Sequence, residues 1–287
     1  MVYGEYDKDI LAKLKGIEIS MLKDFIQICE KNNIDYFLLA GSALGAVRHK
    51  GMIPWDDDID IGLCRNNYEK LLRIVKQEYK DKYYIINVDE KKSWLLMTSY
   101  INKKNTVFVQ DAWKDTDFNT GIFLDIFCID QLAPEQKQRT RQLWHAWFWG
   151  KLMILKATSH PVIALTGYKL KIVKFICKCI HYFLKVFHVS NQWLYHKAKK
   201  IITKYDGVDT GWYGWAFDTF PNKTIFKKDE LFPTRVCEFE GLKARIPNKV
   251  EDYLTRYFGS DYMTLPPEEK RHNHKPYKLV FEDGEEG

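Results

Sequence analysis

The sequence predicts an α/β (α+β) fold, with a mixed sheet core, flanking helices and a basic, helix-rich middle section. Three observations point there. Apolar residues recur at helical spacing at Ile10, Leu14, Ile17, Met21, Phe25 and Ile28, and a buried-strand run, 35–40, follows at once. Strand-like and helix-like segments then alternate as far as Ile129. From Pro134 to Tyr205, in contrast, Trp-rich helical patterning carries fourteen Lys and Arg against a single acid, Glu135.

In order, the first helix runs from Ile10 to Glu30 and stops at Asn32–Asn33. The strand 35–40 is broken by Gly41–Ser42, and Ala43 to Arg48 reads as a short helix with Ser42 near its N-cap. Pro54–Trp55 leads into a second strand, Asp58 to Leu63, with alternating polarity. A helix from Asn67 to Glu78, strands near 83–88, 94–101 and 106–110, and a strong strand from Ile122 to Ile129 follow. The tail mixes turns and aromatics with a last helix near Val250–Tyr257. Three sections are expected: a catalytic core over 1–133, a basic helical section over 134–205 facing a membrane or an acceptor, and 206–287 completing the site.

Composition narrows the function classes. With 46% apolar residues and nine Trp in 287, the chain can bury a core, which excludes global disorder. The net charge of +6 hides a division: the basic section alone is +13, and the other 30 basic and 37 acidic residues give −7. Six cysteines, at 29, 64, 128, 177, 179 and 237, form no C-x-x-C pair, so a thiolate zinc site is not expected. The N-terminus lacks an export layout, which together with the unpaired cysteines predicts reduced thiols and a cytoplasmic protein.

The segment with most chemistry is Asp56–Asp57–Asp58–Ile59–Asp60. In a strand, i and i+2 share a face, so Asp58 and Asp60 project together, Asp56 joins them, and Asp57 points away. Such a row repels itself unless a cation neutralises it. An acidic surface turn is disfavoured by the interleaved isoleucines. An EF-hand loop counted from Asp56 would need Gly and Glu where Ile61 and Asn67 stand, so it fails. A phosphate-handling site for Mg²⁺ (or Mn²⁺) remains, with Asp56, Asp58 and Asp60 as metal ligands. Upstream, Gly41 and Ser42 between strand and helix suit an anion, and Arg48, His49 and Lys50 add positive charge.

A strand–Gly-Ser–helix–strand with D-x-D is the signature of the nucleotidyltransferase fold. The stretch Leu39–Gly62 (LAGSALGAVRHKGMIPWDDDIDIG) closely resembles the LicD family of phosphotransferases. Phe123–Asp130 (FLDIFCID) is similar to that family's second acidic strand, and Tyr257–Arg271 (YFGSDYMTLPPEEKR) to its C-terminal motif, slightly expanded. The resemblance implies transfer of a phospho-alcohol, such as phosphocholine, from a CDP-linked donor to a hydroxyl of a surface glycan or its lipid-linked precursor, releasing CMP. Asp125, interrupting an apolar strand, is then the expected general base beside Asp58 and Asp60; a buried aspartate held by backbone amides is the other reading. Asp130 is expected to end that strand. The C-terminal motif singles out Arg271 for donor phosphate, with His272 and His274 beside it.

Two features stay open. Lys171, Lys174, Lys178, His181 and Lys185 form one stripe on a helix whose remaining surface is largely filled by Ile172, Val173, Phe175, Ile176, Ile180, Phe183, Leu184 and Phe187. With a lysine every turn it does not span a bilayer. It reads either as a peripheral helix on an anionic membrane, at its inner face, or as a helix whose lysines face solvent. Trp212, Tyr213 and Trp215 suit a quaternary-ammonium cage, although clustered aromatics more often serve core or lid packing. The rivals to phospho-alcohol transfer are an NTP-dependent nucleotidyltransferase releasing pyrophosphate and, third, a nucleic-acid binder using the basic section. No nucleic acid is expected, because the basic residues are interleaved with aliphatics rather than stacking aromatics.

Overall fold

Asp7 opens the first helix by accepting from the backbone N–H groups of Asp9 and Ile10, and α1 (Lys8–Lys31) follows. Its buried face is Leu14, Glu18, Met21, Leu22 and Phe25, which sets the helix against the sheet. The computed structural model describes residues 6–111, 114, 119–159, 161, 167–271, 273 and 275–287.

The expected strand 35–40 contracts to β1 (Phe37–Leu38), because the chain enters α2 (Ala40–His49) immediately after it. Then come β2 (Asp60–Cys64), α3 (Arg65–Glu78), β3 (Tyr83–Ile86), β4 (Ser99–Lys103), β5 (Val107–Val109) and β6 (Phe123–Gln131). The run expected from residue 94 starts as a strand only at Ser99. Trp94 folds back there, its indole N–H donating to the Thr98 carbonyl at 3.1 Å.

The sheet order is β1-β2-β6-β4-β3, with β2 and β6 parallel and the other pairs on this path antiparallel. This mixed sheet with flanking helices is an α+β fold, as the sequence patterning predicts. A parallel pair needs cover on both faces. On one side Leu124 of β6 meets Met21 and Phe25 of α1 and Val75 of α3. The other face, carrying Asp60, Asp125 and Phe127, is covered by the middle and C-terminal sections.

The middle section folds as α4 (Gln136–Ala157), α5 (Gly167–Val186) and α6 (Asn191–Ile202). Gln142 ties α4 to α6: its amide donates to Ile202 O at 2.9 Å and accepts from Ala133 N at 2.8 Å. The tail adds β7 (Trp212–Trp215), β8 (Thr224–Lys227), α7 (Lys228–Leu231), β9 (Arg235–Phe239), β10 (Leu242–Ile246), α8 (Val250–Phe258) and β11 (Lys278–Val280). β7 extends the main sheet from the end of β6, and β8 pairs with β7. One core takes Met153 and Leu194 from the basic section and Phe226, Tyr253 and Leu254 from the tail.

Asp130 lies inside β6 rather than ending it. It is buried in a bidentate pair with Arg65, Nε to Oδ1 and Nη2 to Oδ2 both at 2.8 Å, pinning α3 to the sheet.

Candidate active site

The alternation read from the sequence decides where the acidic row points. Ile59 and Ile61 are fully buried, while Asp56, Asp58 and Asp60 are partly buried. Asp57 faces the other way into the interior, where the Tyr6 hydroxyl donates to it at 2.7 Å. Asp60 and Asp125 are direct partners in the parallel β2–β6 pairing, so their side chains stand abreast on one face. Both line a cavity of about 340 Å³.

Among the described residues no Lys or Arg forms an ion pair with Asp60 or Asp125, although Lys151 lines the same cavity. Asp125 Oδ1 is buried without a hydrogen-bond partner. Burial, and then the Asp58 charge, holds both carboxyls well above the ordinary carboxylate range, with Asp125 adding to Asp60. Behind the row, Glu18 of α1 is 1% exposed with Oε2 unpartnered, and it too is raised by burial and by Asp58. Among the described residues no three acidic, histidine or cysteine side chains already converge on one point. An all-oxygen set that includes the orphaned Asp125 oxygen is chemically suited to a hard divalent cation, which Asp56, Asp58 and Asp60 could hold.

The structure divides the expected phosphate cradle. Helix α2 begins at Ala40 (φ +42°), three residues earlier than predicted, so Leu39 and not Ser42 is the N-cap. Ser42 is inside the helix and 4% exposed, its Oγ accepting from the Asp60 backbone N–H at 2.8 Å. Gly41 meets the acidic row itself: a Cβ built there would stand 2.8 Å from Asp56 Oδ2. Both residues therefore position aspartates, a role invisible until β2 is placed beside α2.

Arg48 and His49, joined from far along the chain by Arg271, gather around Trp55. The guanidinium carbons of Arg48 and Arg271 lie 5.9 and 4.9 Å from the Trp55 ring centre, and His49 meets its edge. Arg48 Nε donates to His49 Nε2 at 2.9 Å and Nη1 to the Tyr262 carbonyl at 2.8 Å, so the C-terminal motif wraps onto α2. Burial, with Arg48 beside it, lowers the His49 pKa, consistent with a neutral, accepting ring. Lys50 does not join. It is the left-handed C-cap of α2 (φ +55°), which turns its side chain toward Glu238, 3.8 Å away. His272 and His274 lie outside the described residues.

The expected aromatic trio also divides, because neighbours on a strand face opposite ways. Trp212 lies under the Arg139 guanidinium at 3.6 Å, and Tyr213 packs on Phe232, two residues or about 7 Å along β7 from Trp215. Only Trp215 lines the cavity, edge-on to Phe127 and Phe217. Sequence reading missed the far wall. Asp218 accepts from the Tyr257 hydroxyl at 2.9 Å and from Thr224 Oγ1 at 3.2 Å, and Lys151 of α4 completes the lining. Available signals were weak: Asp218 closes the aromatic run, Tyr257 opens the C-terminal motif, and Glu18 is an acid at core spacing on α1.

Residues 33–162 match the family described as LicD/FKTN/FKRP, nucleotidyltransferase domain. The chain is 28% identical to the lipopolysaccharide cholinephosphotransferase LicD of Haemophilus influenzae over 272 residues, covering 89% of this chain and 92% of that one. Shorter matches link it to uncharacterised proteins of Rickettsia prowazekii, 46% identical over 57 residues, and Rickettsia typhi, 44% over 68 residues. These cover 20% and 23% of the chain, and 21% and 22% of the relatives.

Proposed function

With residues 33–162 forming a LicD-family domain, we propose that the protein transfers a phospho-alcohol, phosphocholine first among the candidates, from a CDP-linked donor to a glycan hydroxyl, releasing CMP. The observation that carries this reading is the abreast pair Asp60–Asp125 on the cavity floor, short of positive charge. The Haemophilus influenzae relative, a lipopolysaccharide cholinephosphotransferase aligned over about nine-tenths of both chains, supports it.

In this reading Asp56, Asp58 and Asp60 hold Mg²⁺ or Mn²⁺, which supplies positive charge to the donor diphosphate and to departing CMP. Asp125 accepts the proton of the acceptor hydroxyl. A bond forms from that oxygen to the phosphorus bearing the alcohol, and the bond from this phosphorus to the oxygen retained by CMP breaks. Arg48 and Arg271, stacked about Trp55, offer cationic groups to donor phosphate, and Lys151 faces the cavity from the opposite wall. Trp215, Phe217 and Tyr257 present aromatic surface for a quaternary ammonium head. The acceptor is a surface glycan or its lipid-linked precursor.

The test is incubation with Mg²⁺ and CDP-choline, CDP-ribitol or CDP-glycerol, each with candidate glycan acceptors, with CMP measured. Acceptor-dependent CMP from one donor is expected. Pyrophosphate from an NTP, with no CMP from any CDP-alcohol, would overturn the reading in favour of nucleotidyl transfer.

A further inference from the structure

Helix α5 is covered on one narrow face only. Cys177, His181 and Leu184, at helical steps of four and three, are its buried residues, and His181 Nδ1 lies 2.8 Å from the Leu155 carbonyl of α4. His181 thus leaves the lysine stripe in which its spacing placed it. The opposite face is apolar and open: Ile172, Phe175, Ile176, Phe183, Val186 and Phe187 are each about half or more exposed. At about 100° per residue these six fall within an arc of roughly 120°. Lys171, Lys174, Lys178 and Lys185 fall within a neighbouring arc of roughly 60°. Scattered exposed apolar residues are ordinary, but a contiguous ridge of this size marks a contact surface.

We propose that α5 is an interfacial membrane anchor, its apolar ridge seated at the headgroup–acyl boundary of a bilayer containing anionic lipid and its four lysines on the headgroups. Charge complementarity selects this occupant. Between residues 136 and 205 there are fourteen Lys and Arg and no Asp or Glu. A second copy would bring the same lysines to the contact with no acid from this section to meet them, whereas lipid phosphates supply the missing charge. The helix lies on the membrane and does not span it, since no described helix is long and apolar enough to cross. An amphipathic helix seated this way sinks about 5–10 Å. Leu155, which holds His181, adjoins Ile154 in the cavity lining, so a bilayer under α5 lies one helix away from the aspartates. A lipid-linked acceptor would reach the cavity without leaving the surface.

The experiment is flotation of the full chain with vesicles of phosphatidylcholine alone and of phosphatidylcholine with phosphatidylglycerol. Strong flotation is expected only with the anionic vesicles. Changing Lys171, Lys174, Lys178 and Lys185 to Gln should weaken it by about a hundredfold or more, and Phe175→Ser with Phe183→Ser by at least about tenfold. All six positions are exposed, so unchanged circular-dichroism melts are expected for both variants. Equal flotation on both vesicles, none on either, or wild-type flotation by the Phe175/Phe183 variant overturns the proposal. So does a dimer in sedimentation that the same variant disperses, which would assign the ridge to a second copy. Flotation needs no donor, so its result is independent of whether CMP is released.

Discussion

Asp125 and Asp130 sit five residues apart on one strand and meet opposite fates. Asp130 turns toward α3 and receives both arms of Arg65; Asp125 turns into the cavity beside Asp60 with one oxygen unpartnered. Both are raised by burial, Asp130 to about 6 against the pull of Arg65, and Asp125 with Asp58 pushing the same way. The difference separates a carboxylate paired with an arginine of the chain from one that, among the described residues, has no such partner, and for which we propose a counter-charge brought by a ligand. The first serves stability and the second is available for chemistry.

The comparison can be broken most severely at the cavity. Asp60→Ala, and likewise Asp58→Ala, should reduce CMP release by on the order of 10³-fold or more while leaving the thermal midpoint unchanged or higher, since a repelling charge is removed. Wild-type turnover by either variant would falsify the metal-holding role. Asp125→Asn should lower kcat by roughly 10²–10⁴-fold with donor binding retained by calorimetry. Lost donor binding would move Asp125 among the cation holders. On the other face the effect is on folding: Asp130→Ala leaves buried Arg65 only its long contacts to Glu69 and Asp206, 3.9 and 3.8 Å away, and should cost about 3 kcal/mol in urea unfolding. Activity per folded molecule should stay near wild type. Chelation sharpens the contrast, since EDTA should abolish turnover of the wild type, with Mg²⁺ or Mn²⁺ restoring it, and leave the Asp130→Ala stability loss unaltered. The smallest effect belongs to the aromatics. Trp215→Ala should raise KM for CDP-choline about tenfold, the worth of one cation–π contact near 1–2 kcal/mol, and Trp212→Ala should not change it.

Much of this contrast was legible in the sequence. Period-two alternation alone puts Asp56, Asp58 and Asp60 on one face and Asp57 on the other, because the isoleucines fix which side is core. Asp125 stood out as an acid within an apolar strand. Its register opposite Asp60 was not legible, since pairing between strands sixty residues apart is a tertiary fact. The same limit hid Asp218 and Lys151, which approach from a loop and a helix with no local pattern to mark them. It also made Ser42 read as a helix cap facing a phosphate, when its hydroxyl serves the backbone of a neighbouring strand. On α5 the spacing gave the apolar and basic stripes correctly, but only the placement of α4 shows that His181 is covered and that the ridge of Phe175 and Phe183 is bare.

The first turn of α2 holds two of the aspartates from two sides, Asp56 pressed against Gly41 and Asp60 hung from the Ser42 hydroxyl. In a saturation screen scored by lost activity, positions 41 and 42 should therefore be as intolerant as the aspartates themselves. A side chain at 41 displaces a carboxylate, and a missing hydroxyl at 42 releases a strand end. Intolerance there would mimic substrate recognition, and only binding measurements on Gly41→Ala and Ser42→Ala would tell the scaffold from the grip.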